Sequence, residues 1–172
     1  MRKNKPADAI ALLKADHRKV EGLFAKFKKA KESEKEALAR EICTELRVHA
    51  QIEEDIFYTA CREAGVDEDL MNEANVEHDS AKVLIAEIEN SQPDEEFYDA
   101  KVKVLSEMIK HHVNEEEKKR GNMFSKARNA ELDLEALGER MAIEKKELMA
   151  KLESGARPKP ATPSFASTEI GT

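Results

Sequence analysis

A chain of 172 residues is about one domain long. Charged residues make up 38% and aromatics 5%, with no Trp, six Gly and five Pro, which disfavours a β-sandwich or barrel and suits an all-α protein. The net charge of -7, from 36 acidic and 29 basic residues, argues against a nucleic-acid partner, and no apolar run is long enough to cross a membrane.

The opening residues, MRKNKPADAIALLK, are basic but soon charged again, so they do not read as a secretory signal. Asp8, just after Pro6, is a natural N-cap for a first helix. Its inward seam reads Ile10, Leu13, His17, Val20, Phe24 and Phe27, a stripe spaced three and four apart with a histidine at its centre. Ser33 followed by Glu36 is a capping box for a second helix, which runs to about Glu63 and stops at Gly65. There the seam is Ile42, Leu46, His49, Glu53, Ile56 and Ala60. Cys43 and Cys61 fall on this helix about 27 Å apart, beyond disulfide reach, as expected of spare thiols in a cytoplasmic protein.

A third helix follows Val66-Asp67 and ends before Asn90-Ser91-Gln92-Pro93, with Met71, Ala74, His78, Ala81, Ile85 and Ile88 inward. A fourth starts at Pro93-Asp94, its seam being Val102, Leu105, Ile109, His112 and Glu116, continuing weakly to Met123 with a bend at Gly121-Asn122. A fifth amphipathic segment runs from about Leu132 to Leu152. The expected organisation is an up-down-up-down four-helix bundle over residues 1–152, with its core at about 8–127 and an extra helix at about 131–152. A disordered Pro/Ser/Thr-rich tail is expected over 153–172.

Each of the four bundle helices thus carries one inward histidine: His17, His49, His78 and His112. Two bring a carboxylate one turn on, as His49-x-x-x-Glu53 and His112-x-x-x-Glu116, side by side at about 6 Å on a helix face. Counting residues from the helix ends places the four histidines near one level. Burying such a set without a cation costs several kcal/mol per charged group, and a metal removes that cost. No thiolate points inward, so a cysteine-type structural zinc is excluded, while nitrogen and carboxylate ligands suit Fe, Mn or Zn. The donors exceed what one tetrahedral zinc needs and match two adjacent octahedral ions bridged by the glutamates. Of about twelve coordination positions the residues and a shared oxygen bridge fill about ten, which leaves the site open to a small ligand.

The stretches ALLKADHRKVEGLF, LRVHAQIEEDIFYTA, VEHDSAKVLIAEIE and HHVNEEEKKRGNMFSKA carry an ordered H, HxxxE, H, HxxxE pattern. In this the chain resembles the hemerythrin-like proteins with the HHE cation-binding domain, over roughly residues 8 to 150. The resemblance implies a non-haem centre of two Fe ions, bridged by oxo or hydroxo and carboxylate groups. It implies His17, His49, Glu53, His78, His112 and Glu116 as the ligands. Oxygen-carrying members have a further histidine four residues after the one on helix 3, where this chain has Lys82. They also place an aspartate five residues after the helix 4 histidine, where this chain has Glu117. One nitrogen fewer points away from reversible oxygen transport and towards sensing or turnover.

Other residues near the ligands read as follows. His111 mimics the motif but lies off the seam, at an interface or exposed. Asp16, Glu21, Glu54 and Glu77 are candidate acceptors for imidazole N–H groups, and Glu21, one turn from His17, is the best placed of them. Tyr58 is about 140° around an α-helix from Glu53, which argues against a direct ligand role and leaves open whether it contacts the site. The expected function is binding or sensing of a small ligand (dioxygen, nitric oxide or iron itself). The alternative is a diiron enzyme that disproportionates hydrogen peroxide. A bundle in which metal serves only to stabilise the fold is a third reading. No organic-substrate pocket, nucleotide loop or nucleophile motif is visible. The expected partner is a small molecule, with a protein partner left open.

Overall fold

The computed structural model describes residues 8–155, and the expectations for the N-terminal seven residues and for the tail from 156 onward lie outside them. Among the described residues there is no strand. The helices are α1 (Ala9–Phe27), α2 (Glu32–Ile52), α3 (Tyr58–Glu63), α4 (Glu68–Glu89), α5 (Tyr98–Val113), α6 (Met123–Asn129) and α7 (Leu134–Glu153). A π-turn, Glu53–Phe57, joins α2 to α3 without a break, and a second, Asn114–Lys118, extends α5.

The helix starts follow cap chemistry. Asp8 caps α1 by accepting from the Ala11 N–H at 2.8 Å, and Asp67 and Asp133 do the same for α4 and α7. The second helix starts slightly earlier than the Ser33 box predicts. Lys31 takes the N-cap position, and Glu34 reaches back to its N–H at 2.9 Å. The fourth rod starts later, at Tyr98 rather than at Pro93. Residues around Pro93 form a turn instead, in which the Glu95 carboxylate accepts from the Gln92 N–H at 2.8 Å. Gly65 and Gly121 both adopt positive φ, 71° and 72°, a left-handed conformation that ends one rod and separates α5 from α6.

Alternation of direction shows in how the core divides. One apolar cluster gathers Ile10 and Leu13 of α1, Val48 and Ile52 of α2, Phe57 of the first π-turn, Tyr58 of α3, Met71 of α4, Phe124 of α6, and Met141 and Leu148 of α7. The other gathers Val20 and Phe27 of α1, Ile42 and Leu46 of α2, Ile85 of α4, and Tyr98 and Leu105 of α5. Each rod crosses from one cluster to the other in the sense opposite to its chain neighbour, the up-down-up-down order expected. His17 and His78 lie on their rods between the two clusters, and His49, Glu53, His112 and Glu116 are buried beside them. α7 lies over α1, α2 and the first π-turn on the side of the first cluster. Cys43 and Cys61 are free and buried, one in each cluster. No helix among the described residues is long and apolar enough to cross a membrane.

Candidate metal centre

All six residues singled out by the heptad seams converge. Ligand-type atoms of His17, His49, Glu53 and Glu116 lie within 4.8 Å of one another, as do those of Glu53, His78 and His112. The two groups share Glu53. Its Oε1 lies 3.1 Å from His49 Nε2, and its Oε2 lies 3.3 Å from His78 Nε2 and 3.7 Å from His112 Nε2. Glu116 Oε2 lies 3.3 Å from His17 Nε2 and 3.5 Å from His112 Nε2. The imidazoles pair within each helical hairpin, at 3.1 Å between the Nε2 atoms of His17 and His49 and 3.2 Å between those of His78 and His112.

Electrostatics at this point favour a cation. Glu53 and Glu116 are 0% and 1% exposed, yet Glu53 Oε1 and Glu116 Oε2 accept no hydrogen bond. Buried carboxylate oxygens without a donor are costly unless a positive charge faces them. Burial would push the His49 pKa down, but Glu53 and Asp16 outweigh it and raise it to about 10, and His112 is likewise held well above its usual value by Glu116, Glu53 and Glu77. Burial would raise the Glu53 carboxyl, but His49, His112 and His78 hold it well below the usual range. A pocket that pulls protons onto imidazole is one that prefers positive charge, and four Nε2 atoms with two carboxylates are donors suited to a divalent ion.

Behind the imidazoles runs a ring of carboxylates. His17 Nδ1 donates to Glu117 at 3.1 Å, His78 Nδ1 to Glu54 at 2.9 Å and His112 Nδ1 to Glu77 at 2.8 Å. His49 Nδ1 faces Asp16 Oδ2 at 3.5 Å. The three hydrogen bonds from His17, His78 and His112 keep the proton on Nδ1 and aim the Nε2 lone pair at the centre. Each acid is a chain neighbour of another member of the centre, with Asp16 before His17, Glu77 before His78, Glu54 after Glu53 and Glu117 after Glu116. Each acid is backed in turn by a basic group: Arg18 on Glu117, Lys145 on Asp16, Lys82 on Glu54 at 2.7 Å, and His111 facing Glu77 at 3.2 Å.

One sequence expectation about these neighbours changes, and two further residues join the centre. Glu21 is no imidazole partner. It pairs with Arg18 at 3.4 Å, because His17 reaches across the bundle and its Nδ1 edge faces Glu117 on the second π-turn instead. Glu117 had no such role in the sequence reading, and its adjacency to Glu116 is the signal that carries it. Tyr58 touches the centre as a hydrogen-bond donor to its carboxylates. Its hydroxyl donates to Glu116 Oε1 at 2.7 Å and lies 3.3 Å from Glu53 Oε2. The π-turn is the reason, since i→i+5 bonding brings a residue five positions on back over Glu53. His111 is exposed, as expected.

Beside the imidazoles a cavity leaves about 20 Å³ for the centres of water-sized molecules, enough for one small ligand. Val20, Leu46, Ala81, Ile85 and Val113 make its walls apolar, and Lys82 stands at its side. The structure also has a substrate-sized feature that sequence patterning did not reveal, a groove of about 660 Å³ between α1 and α5. It shares Ile109 and Val113 with the small cavity.

A helical bundle that surrounds a buried, carboxylate-backed set of four imidazoles defines a class of metal-binding helical protein. A family model for the hemerythrin HHE cation binding domain matches residues 8–124, and the chain belongs to that family. A solved structure of a hemerythrin HHE cation binding domain-containing protein from Mycobacterium kansasii has the same fold. Its TM-score is 0.73 at 24% identity, over 88% of this chain and 95% of that one. Comparison with curated proteins finds no match.

Proposed function

We propose that the chain holds two non-haem iron ions and binds or senses a small ligand there, dioxygen or nitric oxide, or responds to iron itself. One ion would be held by His17, His49, Glu53 and Glu116, and the other by His78, His112 and Glu53, the residue the two groups share. The observation that carries the reading is the pair of buried carboxylate oxygens, Glu53 Oε1 and Glu116 Oε2, that face imidazole nitrogens and accept no hydrogen bond. Iron at such a site supplies one-electron redox chemistry and open positions for a small ligand.

The protein's own residues do the rest. Glu117, Glu54 and Glu77 hold the proton on Nδ1 of their imidazoles. Tyr58 fixes Glu116, and the small, apolar-walled cavity suits a ligand of a few atoms. Buried free thiols fit a reducing, cytoplasmic setting. The test is optical. Reduced, iron-loaded protein should change its absorption spectrum on exposure to dioxygen or nitric oxide, and His49→Ala should abolish the change. An unchanged spectrum with both gases counts against the reading.

A second reading, disproportionation of hydrogen peroxide to water and dioxygen, is favoured by Lys82. Its ammonium is committed to Glu54 at 2.7 and 2.9 Å, so the cavity beside His78 gains no further nitrogen ligand there. Oxygen evolution from peroxide should then scale with iron loading and vanish in His49→Ala.

A further inference from the structure

The helix that follows the matched domain reaches the centre. α7 begins at Leu134, beyond the 8–124 span of the family model, and its Lys145 donates to Asp16 Oδ1. Met141 and Leu148, one turn to either side of Lys145, are buried against the first apolar cluster and fix the height of the lysine against α1. Lys19, which follows Asp16 by three residues, is committed to Glu45 at 2.6 Å. Lys145 is therefore the cation that answers the buried Asp16 carboxylate.

Asp16 differs from the other three acids behind the imidazoles. It has the shorter side chain, and its Oδ2 faces His49 Nδ1 at 3.5 Å where the glutamates approach to 2.8, 2.9 and 3.1 Å. Neither Asp16 Oδ2 nor His49 Nδ1 makes a hydrogen bond to any described group. The position of Asp16 thus depends on what holds its other oxygen, and that is a residue of α7. His49 in turn depends on Asp16 for the orientation of its ring, since its Nδ1 faces no nearer acceptor.

We propose that α7 is a working part of the metal centre: Lys145, acting through Asp16, is a positioning residue for His49 and so for the ion held by His17, His49, Glu53 and Glu116. This rests on the metal-centre reading above. The consequence is an asymmetry between the two ions. The acids behind His78 and His112 are paired by Lys82 and His111 of the bundle rods, while Asp16, behind His49, is paired by Lys145 of α7.

The test uses the full chain, stripped of metal and titrated anaerobically with Fe(II) or Co(II) against a chromophoric chelator. Wild type should take up two ions. Lys145→Met keeps the aliphatic stem at a part-exposed position, so the fold should persist. It should still bind two ions, one of them weakened about ten-fold and with a shifted cobalt absorption band. Lys145→Arg should restore both. Asp16→Asn should reproduce the loss, and Lys145→Met should add nothing further in that background, because the two act in one chain of contacts. Unaltered affinity and spectrum in Lys145→Met, or weakening that adds to that of Asp16→Asn, would overturn the proposal. Wild-type protein that takes up fewer than two ions would instead contradict the metal-centre reading, so the two failures are distinct.

Discussion

Tyr58 donates its hydroxyl to Glu116 Oε1 at 2.7 Å, and the hydroxyl oxygen of Tyr58 also lies 3.3 Å from Glu53 Oε2. One phenol thus ties together the two carboxylates that close the centre. The ring also stacks on His78, with centroids 5.7 Å apart. Burial and the two carboxylates push the phenol pKa well above its usual value, so it acts as a donor throughout the physiological range. Phe fits the same space but cannot donate. Tyr58→Phe should leave a buried carboxylate short of a partner and destabilise the metal-free protein by about 1–3 kcal/mol. The loss should shrink once metal is bound, because the ion takes over the charge. Chemical denaturation of both forms measures it.

Glu54 and Glu21 give opposite expectations from similar sequence credentials. Glu54 accepts from His78 Nδ1 at 2.9 Å and is held by Lys82, and burial, which would raise its pKa, is outweighed by His78 and Lys82, so it stays ionised. Glu21 faces Arg18 and the α1–α5 groove. Glu54→Gln should weaken metal binding by about 10- to 100-fold, the usual cost of losing a partner behind a ligand. Glu21→Gln should leave it unchanged. Metal titrations of the two variants side by side read the difference.

The two thiols should be silent in the folded chain. Burial pushes Cys43 and Cys61 up to about 12, from an ordinary value of 9.0, and neither side chain is open to solvent. A disulfide reagent at pH 8 should react with neither until the protein is unfolded. Because their pKa values are higher in the folded than in the unfolded state, this contribution to stability is complete below about pH 9. It is lost as pH rises towards 12. Denaturant midpoints of wild type and Cys43→Ala across that range should converge as pH rises.

The rods and the six inward residues were legible because a period of three and four is a local property, and a polar residue on an apolar stripe stands out. Asp8, Gly65 and Asp67 mark helix ends by chemistry that acts within a few residues, and the structure uses all three. The partners of the imidazoles were less legible. Glu21 looked best because i+4 adjacency is a same-helix rule, whereas the Nδ1 edges point between helices and meet Glu117, Asp16, Glu54 and Glu77 there. The contact of Tyr58 with the two carboxylates is hidden for a different reason. Its position depends on one extra residue in the turn at Glu53–Phe57, and periodicity assumes a uniform α-helix. Lys145 joins through a contact that spans 129 residues, which no local pattern reports.

The central claim is that six residues, shared between two adjacent donor groups, hold two metal ions. Elemental analysis of the full chain after anaerobic loading with Fe(II) and desalting tests it most directly, with Glu53→Ala and Glu116→Ala in parallel. The account predicts two irons per wild-type chain, an absorption band of an oxygen-bridged pair after oxidation, and loss of at least one iron in each variant. One ion or none per wild-type chain, or full loading in both variants, would contradict it.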